Sequence, residues 1–69
     1  MEEFDSLPLK EAITRLPKDQ KDVIVLRFFA GYTVNETAQT LEIPVGTVAT
    51  RQRKALQLLR LELEEEVSV

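Results

Sequence analysis

A chain of 69 residues with 43% apolar and 30% charged side chains, at formal net charge −3, is one small globular domain with a modest core and no room for a separate substrate domain. It has no histidine and no cysteine, which excludes disulfide frameworks, the usual zinc sites and His- or Cys-based nucleophiles. No apolar run is long enough to cross a bilayer and no basic-then-apolar leader opens the chain, so a cytoplasmic protein without membrane contact is expected. Most of its 12 carboxylates sit in the first five or the last eight residues. Those tails read as solvated, and with no Gly-rich phosphate loop and no carboxylate pair in a cleft the chain is not read as an enzyme. No cofactor, metal or small-molecule substrate is expected.

Residues 1–6 read as a flexible N-terminal segment ending in Ser6, a suitable N-cap. Pro8 fits a first helical turn, where a missing N–H costs nothing. Leu9, Ala12, Ile13 and Leu16 then recur at helical spacing, and the spacing predicts a first helix over 7–16. Pro17 ends it and can open the next, with Asp19 and Asp22 supplying the charge that a helix N-terminus favours. Val23, Ile24, Val25, Leu26, Phe28, Phe29 and Ala30 make the second helix apolar nearly all round, which predicts the most buried element of the fold. A strand over Val23-Ile24-Val25 is rejected because the chain offers no partner strand.

Gly31 suits a left-handed cap closing that helix. Thr33-Val34-Asn35-Glu36 matches the capping box, and a third helix is predicted over 34–41, burying Val34, Thr37, Ala38 and Leu41. Glu42-Ile43-Pro44 makes a turn, with Ile43 plugging the core. A fourth helix is predicted from Val45 to about residue 63, with Val48, Ala55 and Leu59 on one face, Gln52 between them, and Leu56 and Leu63 flanking. Gly46 early in that helix is unfavourable by about 1 kcal/mol relative to alanine. A close approach to another backbone or to a phosphate would explain it. The predicted fold is all-α: a compact four-helix domain over 7–63, ending in a helix-turn-helix with a long recognition helix, followed by an acidic tail over 64–69.

A short helix, a tight turn and a longer helix is the helix-turn-helix pattern, in which the first helix braces on phosphates and the second enters the major groove. The second helix then needs donors on its exposed side. Thr47, Thr50, Arg51, Arg53, Lys54 and Gln57 lie opposite or beside the Val48–Ala55–Leu59 face, and arginine, lysine and threonine are the residues that read bases and neutralise phosphates. No acidic residue occurs between Ile43 and Leu61, in a chain that is acidic overall. The plain alternative is a solvated amphipathic face, and the segregation of charge argues against it.

These features lie within a longer pattern. Leu16-Pro17, Gln20, Val23-Ile24-Val25-Leu26-Arg27-Phe28, Gly31-Tyr32-Thr33, Glu36-Thr37-Ala38, Leu41 and Ile43-Pro44-Val45-Gly46-Thr47-Val48 together resemble the fourth conserved region of bacterial RNA polymerase sigma factors, in the style of the extracytoplasmic-function group. The resemblance spans about residues 9–63, and the IPVGTV segment followed by Thr50-Arg51 is its most specific part. It implies a domain that reads the −35 promoter element of double-stranded DNA with its last helix. It also implies docking on the β-subunit flap of RNA polymerase and contact with anti-sigma factors or activators. The base-reading positions it implies are Ala49, Thr50, Arg53 and Lys54, with Arg51 at a usual basic position and Thr33 near phosphate. Position 49 usually carries Lys or Arg, and further basic residues usually stand where this chain has Leu56, Gln57 and Leu58. The implied DNA face is thin in charge, so weak binding by the isolated domain is expected. The absence of the second-region helices that bind core polymerase suggests one domain of a longer sigma factor.

Leu56, Leu58 and Leu61 are candidates for a partner surface on the last helix, since the five leucines of its second half cannot all face one core. Scattered exposed apolar residues are the plain reading. The acidic tail reads as solvating, or as a competitor of DNA for the basic face. Two other functions fit the pattern. One is a helix-turn-helix regulator of the response-regulator effector type, dimeric on a palindromic site. The other is a sigma-like adaptor with little DNA binding, which Ala49, the leucines and the negative net charge would favour.

Overall fold

The computed structural model describes the backbone of residues 7–67 and the side chains of residues 8–62. The segment 1–6 with its Ser6 cap, the Leu63 side chain and the side chains of the acidic tail lie outside the described residues. Four α-helices follow in chain order: α1 (Leu7–Thr14), α2 (Lys18–Ile24), α3 (Val34–Leu41) and α4 (Val45–Val67), with a π-helical turn over Val25–Phe29 continuing α2. None is long and apolar enough to cross a membrane.

The apolar stripe of α1 is buried as its spacing requires: Leu9, Ala12, Ile13 and Leu16 all face the core. Regular α-helix stops at Thr14, two residues short of the predicted end. Arg15 N–H and Leu16 N–H bond three residues back, to the carbonyls of Ala12 and Ile13, both at 3.1 Å. That tighter turn lets Leu16 reach the core before Pro17 redirects the chain. Pro17 then starts α2 in extended conformation, and its carbonyl accepts the Lys21 N–H at 2.8 Å.

The second helix departs from the prediction. After Ile24 the ladder widens, and Ala30 N–H reaches the Val25 carbonyl five residues back at 3.0 Å. Gly31 closes the segment at φ 77°, and Tyr32 N–H bonds to the Leu26 carbonyl at 2.9 Å. That capping bond spans one residue more than the usual Schellman closure, because the π turn has inserted one. Val23 and Ile24 are fully buried, yet Val25 and Phe29 are each 41% exposed. The expectation of a helix buried all round fails here. Its neighbours cover only part of its circumference, and a chain of this size has little more surface to lay over it.

The capping box at α3 forms as predicted. Thr33 Oγ1 accepts from Glu36 N–H at 3.0 Å, and Glu36 Oε1 accepts from Thr33 N–H at 2.8 Å. Thr37 is fully buried, and its hydroxyl donates to the Thr33 carbonyl at 2.8 Å, so it leaves no unmet polar atom. At the other end Glu42 takes the left-handed conformation at φ 58°, where glycine or asparagine is usual, and Ile43 N–H bonds to the Ala38 carbonyl at 3.0 Å. Residues 42–44 thus form the predicted turn. The Pro44 carbonyl accepts from Thr47 N–H and Val48 N–H to start α4.

The long helix α4 is the spine against which α1, α2 and α3 all pack. Its backbone stays helical to Val67, four residues past the predicted end and into the segment read as a tail. Two buried clusters lie along it. Leu9, Ala12, Ile13, Leu16 and Ile24 pack on Ala55 and Leu59, with Phe28 against them. Val23, Ala38 and Val48 form the second, covered by Val34, Leu41 and Ile43. Adjacent residues of α2, Val23 and Ile24, therefore serve different clusters, as a turn of about 100° per residue allows. The second cluster ties α2, α3 and the start of α4 into one unit, and so sets the angle at which α4 is presented.

Candidate nucleic-acid interface

Burial of Val48, Ala55 and Leu59 fixes the rotation of α4, and hence what it shows to solvent. At about 100° per residue the opposite side carries Gly46, Thr50, Arg53 and Gln57. Arg53 and Lys54 are exposed, and among the described residues neither enters a hydrogen bond or ion pair. Thr47, Thr50 and Arg51 are half-buried.

Two shallow grooves flank this face and divide the candidate residues between them. Thr47, Thr50, Arg51 and Lys54 line one groove with Gly46, Asp19 and Gln20, toward the start of α2. Ala49 and Arg53 line the other with Val34, Leu56, Gln57 and Arg60, toward the start of α3. Thr33 is exposed at the N-cap of α3, next to Val34 in that second groove. The structure thus divides six of the seven DNA-contact candidates between two grooves on the flanks of α4, with Thr33 next in the chain to Val34 of the second.

Arg51 differs from the other basic residues. Its Nε lies 3.5 Å from Asp19 Oδ2 on α2, with the arginine side chain 31% exposed. The Gln20 side chain borders the same groove with its Oε1 buried and without a hydrogen-bond partner among the described residues. Asp19 and Gln20 were not site candidates, because nothing in the local sequence of α2 announces that its first turn faces α4. Arg60, basic and on the exposed side of the long helix, was not among the DNA-contact candidates, yet it lines the second groove. Its position one helical repeat beyond Arg53 was legible, since seven residues return to nearly the same face.

Gly46 was expected to answer to a close contact. Among the described residues, and apart from its chain neighbours and the backbone of its own helical turns, no atom lies within 4 Å of the position a Cβ would take there. Packing inside the domain therefore does not require this glycine, and any close approach would have to come from outside.

The three leucine candidates do not form one surface. Leu58 and Leu61 lie on the side of Lys54, whereas Leu56 is about 160° from Leu58 around the helix and lines the groove with Arg53. All three are exposed, Leu61 most at 60%.

A short capped helix, a three-residue turn and a long helix with outward donors make this a helix-turn-helix domain. Comparison with known proteins carries the assignment further. The family model for Sigma-70, region 4 matches residues 12–61, and the chain belongs to that family. It is 40% identical over 53 residues to the ECF RNA polymerase sigma factor SigX of Bacillus subtilis, covering 77% of this chain and 27% of that protein. It is 36% identical over 63 residues to the RNA polymerase sigma factor SigV of Bacillus subtilis, covering 91% and 38%. With the ECF RNA polymerase sigma factor RpoE of Cereibacter sphaeroides it shares 42% over 52 residues, covering 75% and 29%. The chain thus spans well under half the length of these curated relatives. No solved structure matches it significantly.

Proposed function

We propose that this domain recognises the −35 element of bacterial promoters and so directs RNA polymerase in transcription initiation, without catalysis of its own. The observation that carries the reading is the exposed pair Arg53 and Lys54 beside Thr50, unengaged among the described residues, on the outward face of a helix in a domain of the sigma region 4 family. Helix α4 enters the major groove by its N-terminal half. Arg53, Lys54 and Thr50 meet base edges, Ala49 adds an apolar contact, and Thr47, Arg51 and Thr33 meet phosphates. The Thr33 oxygen already accepts the Glu36 N–H, which leaves its O–H free to donate.

The partners of this reading are double-stranded promoter DNA, the polymerase core through its β flap, and an anti-sigma factor or activator, all in the cytoplasm. Few cations face the DNA, so polymerase must hold the domain in place for specificity to be realised. Family membership removes the support for a response-regulator effector. The exposed Leu58 and Leu61 favour protein contact as a second role of the same domain.

The test is promoter binding by polymerase carrying the sigma factor with Arg53→Ala or Lys54→Ala. Each should lose about 1–3 kcal/mol on a −35 sequence and less on a scrambled one. Equal loss on every sequence would reassign the residue to phosphate. No loss on any sequence would sink the DNA-reading assignment.

A further inference from the structure

We propose that Asp19 competes with the DNA backbone for Arg51, and thereby holds down the DNA affinity of this domain. The proposal rests on the DNA-binding reading above.

Asp19 stands among the groups that would meet DNA: it lines one groove with Thr47 and Arg51, which would receive phosphate, and with Thr50 and Lys54. Its carboxylate is held there from its own helix, because Oδ1 accepts the Gln20 N–H at 2.9 Å and the first turn of a helix favours a negative charge. The neighbouring cation on α2 is occupied elsewhere, since Lys18 Nζ pairs with Asp22 Oδ2 at 2.9 Å. Arg51 is therefore the partner of the Asp19 carboxylate.

The geometry decides between positioning and competition. An arginine clamped for recognition makes charge-assisted hydrogen bonds of about 2.7–2.9 Å, often two in parallel. The single Arg51–Asp19 approach is 3.5 Å, and Asp19 is 54% exposed. Such a pair is loose, screened by salt and easily exchanged for another anion. A phosphate entering the groove would take the guanidinium from Asp19 and leave the carboxylate beside it as a like charge.

Asp19→Asn keeps the side-chain shape and the acceptor for the Gln20 N–H. The measurement is fluorescence anisotropy of the full chain with a short labelled duplex of mixed sequence, over a series of KCl concentrations from low salt. Circular dichroism confirms equal helicity. Asp19→Asn should bind about three- to tenfold tighter at low salt, with a salt slope steeper by about one counterion. In an Arg51→Gln background the same substitution should gain less than about twofold, because only the general charge effect remains. Weaker binding by Asp19→Asn would make Asp19 a positioning residue and overturn the proposal. So would an equal gain in both backgrounds, or unchanged affinity. If Arg53→Ala and Lys54→Ala also leave affinity unchanged, both on this duplex and on one carrying a −35 element, the DNA-binding reading fails, and the proposal with it.

Discussion

Arg27 and Gln52 join the π turn to the recognition helix: Nε of the arginine donates to Oε1 of the glutamine at 3.0 Å. A second donor of the same guanidinium, on Nη1, reaches the Tyr32 carbonyl at 2.7 Å, and its carbon lies 5.6 Å from the centre of the Phe28 ring. One side chain thus ties the end of the second helix, the loop after Gly31 and the middle of α4. These bonds are partly buried, so losing the donor leaves two acceptors without their partner. Arg27→Ala should cost about 2–3 kcal/mol of stability, measured by urea unfolding. Arg27→Lys should recover less than half of it, because an ammonium cannot serve both acceptors in a fixed fork.

Gly46 separates stability from function. No other element among the described residues comes near its missing Cβ, so Gly46→Ala should stabilise the helix by about 0.5–1 kcal/mol, read from the thermal unfolding midpoint. The same substitution should weaken binding to promoter DNA, because Gly46 lies on the outward face at the start of α4. A variant that is more stable and binds DNA equally well would show that no external backbone approaches this point.

The exposed leucines should sort into two phenotypes. Leu56 shares its groove with Arg53 and Arg60, so Leu56→Glu should reduce DNA affinity by placing a like charge against the backbone. Leu58→Glu and Leu61→Glu, on the Lys54 side, should instead reduce capture by the β flap or by an anti-sigma protein in pull-down. DNA affinity should change less than it does for Leu56→Glu. Loss of the same partner by all three variants would contradict this division.

Much of the architecture was legible because its signals are local. The Thr33–Glu36 capping box, the left-handed Gly31, the redirection of the chain at Pro17 and the turn into Val45 depend on neighbours within a few residues. The division between Leu56 and Leu58 could also have been read from helical geometry alone. The left-handed Glu42 could not, since glutamate carries no preference for that conformation. Nor could the exposure of Val25 and Phe29, which depends on how much of the second helix its neighbours cover.

The sequence by itself determined the order of helices, the Gly31 and Thr33 caps and the basic outward face of α4, because backbone hydrogen bonding and the 3.6-residue period act within one segment. Only the tertiary structure decided which of those basic residues are engaged. The Arg27–Gln52 bond closes over 25 residues, and Arg51 meets a carboxylate on α2, because helices distant in the chain pack onto α4 at angles set by two buried clusters. Packing also split the face into two grooves and left Arg53 and Lys54 without engagement among the described residues.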